Sequence, residues 1–169
     1  MKGWRKKPVI EVVLDEGLEE CFSLPDDIDR AVLSACRVAG LTAGSTPDLC
    51  IRFAPDSAVQ ELNHQWRGKD KVTDVLSFPM QEGPSYDLDQ PLGDIALAVP
   101  FIQHEAMRLN LPQSAHALHL IIHATLHLLG YDHIDDEDAD RMQSLEKKAM
   151  ATLGLHEPYP LDVSDTEMT

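Results

Sequence analysis

Across 169 residues, 14 Lys and Arg face 29 Asp and Glu, giving a formal net charge of −15 at pH 7. That length suits one domain whose core needs neither disulfides nor a structural metal, and that charge excludes broad, non-specific attraction to a polyanion; a nucleic acid would need a local basic patch. Cys21, Cys36 and Cys50, odd in number and without a Cys-x-x-Cys pair, argue against a disulfide framework and a thiolate metal site and fit a reducing cytoplasm.

In chain order, the basic start (Lys2, Arg5, Lys6, Lys7) resembles a signal-peptide opening, but Glu11 and Asp15 break the apolar run that would have to follow. No stretch is long enough to span a membrane. Residues 9–14, β-branched between Pro8 and Asp15, read as a strand. Pro25-Asp26-Asp27 opens a helix in which Ile28, Ala31, Val32 and Ala35 keep helical spacing toward Gly40. Residues 49–53 form a second strand; Asp56 or Ser57 then caps a helix carrying Val59, Leu62 and Trp66 to Arg67, where Gly68 ends it. After the loop Lys69-Asp70-Lys71, residues 72–78 alternate as a third strand stopped by Pro79, and residues 81–91 form a surface loop.

Residues 92–99 read as a fourth strand, and Pro100 begins a helix through Arg108. Pro112 and Ser114 start a histidine-bearing helix whose leucines and isoleucines lie on nearly every side, as expected of a central, buried helix. Asp135 or Asp136 caps a last helix with a buried stripe of Ala139, Met142, Leu145, Ala149 and Leu153, ending at Gly154. The order β-α-β-α-β-β-α-α-α predicts an α/β (α+β) fold: one domain over residues 1–155, with a mixed sheet of about four strands packed by about five helices. Residues 156–169 form an acidic tail expected to fray.

Five of the eight histidines fall between His116 and His133. His119, His123 and His127 recur every fourth residue, so on a helix they form a ladder on one face. Gly130 stands where a helix stops, and a left-handed turn there brings His133 round to the same face. Two histidines at i and i+4 plus a third after a turn hold a zinc ion, or another divalent transition metal, with one position left for water. The expected ligands are His123, His127 and His133. A fourth imidazole would close the water position, so His119 belongs to the surroundings of the site or to the core.

In a zinc peptidase helix the residue after the first histidine is a glutamate that acts as general base. Here it is Ala124. Phosphodiester cleavage tolerates that loss, because zinc lowers the pKa of its water to about 7 and offsets phosphoryl charge. A cation for the transition state is still needed. Arg67, followed by Lys69 and Lys71, is the candidate, against the alternative of a solvated helix end. Asp132 could orient a ligating histidine and Asp74 could hold Arg67 or a water; turn and strand-end roles suit both equally.

Two segments together resemble the YbeY family of bacterial metal-dependent endoribonucleases. These are His123-Ala-Thr-Leu-His127-Leu-Leu-Gly130-Tyr-Asp132-His133 and the run from Glu61 through Arg67-Gly-Lys69-Asp-Lys71-Val-Thr73-Asp74-Val-Leu-Ser77-Phe-Pro; Leu92-Gly-Asp94-Ile95 adds to them. The resemblance covers roughly residues 55–155. It implies zinc on His123, His127 and His133 and places Arg67 in the active cleft; together with the reading of the residues, this makes Arg67, His123 and His127 the expected catalytic residues. His119, Asp74, Asp132, Ser77, Lys69 and Lys71 then surround them or line the cleft. It also implies single-stranded ribosomal RNA as substrate, in maturation of the 16S rRNA 3′ end and in ribosome quality control, with the ribosome or small-subunit proteins as partners and no DNA. Where the family has glycine after the first histidine, Ala124 is expected to narrow the cleft slightly. Two other readings stay open: a peptidase using Asp132 as a distant base, and a non-enzymatic ribosome-assembly factor with a structural metal.

Overall fold

The computed structural model describes residues 10–41 and 47–159; the basic N-terminal segment, the first residue of the first expected strand and residues 160–169 lie outside them. Four strands, β1 (Ile10–Leu14), β2 (Asp48–Ala54), β3 (Val75–Pro79) and β4 (Pro91–Ala98), make one sheet in the order β1-β2-β4-β3. β1, β2 and β4 run parallel, and β3 pairs antiparallel with β4. Five helices accompany them among the described residues: α1 (Ile28–Val38), α2 (Asp56–Arg67), α3 (Val99–Leu109), α4 (Gln113–Leu128) and α5 (Asp136–Thr152). This is the expected mixed α/β domain.

Strand alternation divides the interior into two parts. Leu49, Ile51 and Phe53 of β2 and Leu92, Ile95 and Leu97 of β4 face the main core, which they share with α1, α4 and α5. A smaller cluster, Ala54, Val59, Leu76 and Ala98, lies beneath α2. Gly93 lets the end of α4 approach the sheet: a Cβ there would stand 2.3 Å from the Phe78 carbonyl oxygen and 2.8 Å from Leu128 Cδ2.

α4 is the central helix. From Ala115 to Leu129 every residue is buried except His123 and His127, which are half-buried. Ile121, Ile122, Leu126 and Leu128 are fully buried, each contributing roughly 1.5–3 kcal/mol of transfer free energy. The burial pattern therefore leaves one narrow window on this helix, and two histidines fill it.

Two local expectations are corrected. β3 starts at Val75, not at residue 72, because the preceding residues bond elsewhere: the Lys71 carbonyl accepts from Asn63 Nδ2 at 3.0 Å, and Asp74 Oδ1 accepts from the Val75 amide at 2.7 Å. Asp56 does not cap its own helix. Pro55 takes the cap position, and Asp56 Oδ1 accepts from the Phe101 amide at 3.0 Å, satisfying a free N–H in the first turn of α3. Asp135 does cap α5 as expected, accepting from the Asp138 amide at 2.8 Å.

Candidate metal centre

The turn after α4 builds the site. Gly130 adopts φ +92°, its amide donates to the His127 carbonyl at 3.0 Å, and the Tyr131 amide reaches back to the Leu126 carbonyl at 3.1 Å. These are the two bonds of a Schellman stop, and the left-handed residue at its centre favours glycine. Space adds a second constraint, since a Cβ on Gly130 would meet the Tyr86 hydroxyl at 2.6 Å. Tyr86 belongs to the β3–β4 loop, which is held by the Gln81 side chain: its Nε2 donates to the carbonyls of Asp87, Gln90 and Pro91, and its Oε1 accepts from the Asp87 amide.

Past this stop, His133 returns to the face of His123 and His127. One nitrogen from each of the three lies within 4.8 Å of the others, and His123 Nε2 is 3.1 Å from His127 Nε2. His133 is exposed at the mouth, while the other two are half-buried. Burial, and then the neighbouring His123 and His133 rings, push the pKa of His127 down to about 4, so its ring is neutral at pH 7.

The residue that organises this face was missed by the sequence reading. Glu146 of α5 is fully buried, and its Oε1 accepts from His119 Nε2 and His123 Nδ1, both at 2.9 Å. The Tyr159 hydroxyl donates to both carboxylate oxygens, at 3.1 and 3.0 Å. Burial pushes the Glu146 pKa upward, but the bonds from His119 and His123 outweigh it and hold the pKa down at about 2. Burial and the facing carboxylate raise the Tyr159 pKa, keeping the phenol a donor. The signal lay in the helical spacing: Met142, Ala149 and Met150 are the buried neighbours of Glu146 on α5, so the glutamate occupies a core-facing position.

This donor set fits a metal ion. With Nδ1 of His123 donating to an ionised carboxylate, its Nε2 carries the free lone pair, and that lone pair faces Nε2 of a neutral His127. Imidazoles converging from a helix and a following turn are what a borderline-soft divalent ion takes.

The other expected residues fall as follows. His119 stands outside the triad, on Glu146. Asp132 accepts from the Ile134 amide at 3.2 Å, a turn role, and bonds no histidine. Asp74 holds the Val75 amide and Thr73 Oγ1, not Arg67. Ser77 is half-buried on β3. Arg67, Lys69 and Lys71 are exposed and have no carboxylate partner among the described residues. Ala124 does not narrow the cleft, because its methyl is buried in the main core. His156 and Tyr159, assigned by composition to the tail, pack their rings against His119. On the other sheet face, Trp66 is 66% exposed and lines a groove of about 590 Å³ with Leu62, Phe78 and Met80, above Arg52 and Asp94.

The chain is similar to known proteins in both sequence and fold. The family described as Endoribonuclease YbeY matches residues 22–154. A Rhizorhabdus wittichii protein named Endoribonuclease YbeY is 43% identical over 141 residues, covering 79% of this chain and 83% of its own. One of the same name from Pseudomonas putida (strain W619) is 41% identical over 155 residues, covering 91% and 98%. Among solved structures, the solution structure of TM1509 from Thermotoga maritima shares the fold, with a TM-score of 0.52 and 22% identity over 86% of this chain and 92% of that one.

Proposed function

The chain belongs to the Endoribonuclease YbeY family, and on that premise we propose that it is a zinc-dependent endoribonuclease cutting single-stranded RNA. On this reading it acts in the cytoplasm on ribosomal RNA, at the 3′ end of 16S rRNA and in ribosome quality control, alongside small-subunit components. The observation that carries the proposal is the convergence of His123, His127 and His133 with no carboxylate after the first ligand.

A zinc ion on these three imidazoles supplies Lewis acidity toward a phosphoryl oxygen and an acidified water. The chain supplies the rest. Arg67 offers a planar fork that matches two phosphate oxygens at once, and its exposure leaves it free to meet a substrate. As the transition state gathers charge, that guanidinium stabilises it. Lys69 and Lys71 add phosphate contacts on a surface that otherwise repels RNA. Trp66, the residue before Arg67, presents an open ring on the sheet face away from α4, where a base of a strand running on past the metal centre can stack only when unpaired, which favours single strands. Against the peptidase alternative, Asp132 Oδ1 accepts from the Ile134 amide at 3.2 Å and shares no hydrogen bond with the triad among the described residues.

The test is metal analysis paired with cleavage of matched single-stranded and duplex RNA. The expected result is cleavage of the single strand alone, abolished by chelator and restored by zinc. Equal cutting of both RNAs, or cutting indifferent to chelator, overturns the proposal.

A further inference from the structure

We propose that Glu146 is a positioning residue for the metal ligands, with Tyr159 as the clasp that fixes its carboxylate. The inference rests on reading His123, His127 and His133 as a metal site, and it concerns residues that reading did not use.

A carboxylate buried among Met142, Ala149 and Met150 is costly unless it is paired and fully hydrogen-bonded. Glu146 meets that condition with three side-chain donors, His119 Nε2, His123 Nδ1 and the Tyr159 hydroxyl. The bond from His123 has a directional consequence. It fixes the proton on Nδ1, fixes the ring plane, and leaves Nε2 as the only free donor atom, pointed at His127 Nε2 3.1 Å away. An ionised carboxylate behind a ligating imidazole also raises its basicity, and such partners are typically worth about 10- to 100-fold in metal affinity.

The same carboxylate accounts for the division within the histidine ladder. His119 and His123 sit one turn apart on α4, yet His119 spends Nε2 on Glu146, whereas His123 spends Nδ1. One rung is thereby a ligand and the other a support. Tyr159 arrives from beyond the Gly154 turn, so the segment following α5 completes the carboxylate's coordination and belongs to the working site.

The experiment uses the full chain with zinc alone, its affinity measured by competition with a chromogenic chelator, together with far-UV circular dichroism and the absorption spectrum of the cobalt-loaded protein. Glu146→Gln is expected to fold, to bind zinc about 10- to 100-fold more weakly and to shift the cobalt spectrum. Tyr159→Phe, which removes one hydroxyl at the edge of the site, is expected to weaken zinc binding in the same direction by a smaller factor. A folded Glu146→Gln protein with wild-type affinity and spectrum overturns the proposal. If that variant does not fold, wild-type affinity in Tyr159→Phe overturns it instead. Because no RNA is used, a wild-type chain that binds zinc without cutting RNA counts against the nuclease reading alone, and one that binds no zinc removes both.

Discussion

Gly130→Ala separates the two demands that the stop of α4 makes on its central residue. The backbone sits at φ +92°, where a side chain costs about 1–2 kcal/mol. The added methyl also needs room now held by the Tyr86 hydroxyl, 2.6 Å from its position. Gly40, at φ +87° with nothing within 4 Å among the described residues, imposes the first demand without the second. Gly40→Ala should therefore lose about 1–2 kcal/mol of stability and keep its zinc affinity. Gly130→Ala should lose at least as much stability, and its zinc affinity should fall about 5- to 30-fold, the factor that corresponds to that free energy when the turn must be forced back to place His133. Urea unfolding gives the first quantity and chelator competition the second. Equal zinc affinity in the two variants would refute the claim that this turn delivers a ligand.

Arg67→Ala should keep full zinc content while RNA cleavage falls by about 10²- to 10³-fold, the usual effect of removing one donor to developing charge; loss of zinc in that variant would show the assignment to be wrong. RNA affinity should depend only modestly on salt. With Arg67, Lys69 and Lys71 as the phosphate contacts, log K against log salt should slope at about −2, and a slope beyond about −5 would reveal a larger basic surface. In metal-free protein, stability should fall as pH drops. His127, whose folded pKa lies near 4 against an ordinary 6.5, makes the unfolded chain the stronger proton binder across that window, so stability is lost from about pH 6.5 downward. Glu146, held near 2 against 4.5, adds a second loss below about pH 4.5. Acid unfolding monitored by circular dichroism in chelator checks both, and stability that is flat from pH 7 to pH 4 would contradict them.

The sequence made the elements legible because its punctuation is physical: glycines after α1, α2 and α4, Pro100 in the first turn of α3 and Asp135 before α5 each act where spacing put them. The triad was legible for the same reason, since helical period plus one left-handed turn fixes which histidines share a face. Glu146 was not. Its partners His119 and His123 are more than twenty residues away in sequence, and only the docking of α5 against α4 brings them together. The long-range bond from the Phe101 amide to Asp56 escaped likewise, because a carboxylate at a helix start suggests a local cap. Asp132 and Asp74 had two readings each, and the side-chain bonds they make to backbone amides lie within two residues, at a turn and at a strand start.

The central claim is that metal held by His123, His127 and His133 is what cuts RNA. Its most direct test is the rate of single-stranded RNA cleavage followed while zinc is titrated into metal-free protein, with His127→Ala in parallel. The rate is expected to rise in proportion to occupied sites, to saturate at one ion per chain and to stay at background in the variant. Full cleavage by the metal-free chain, or by His127→Ala, would contradict it.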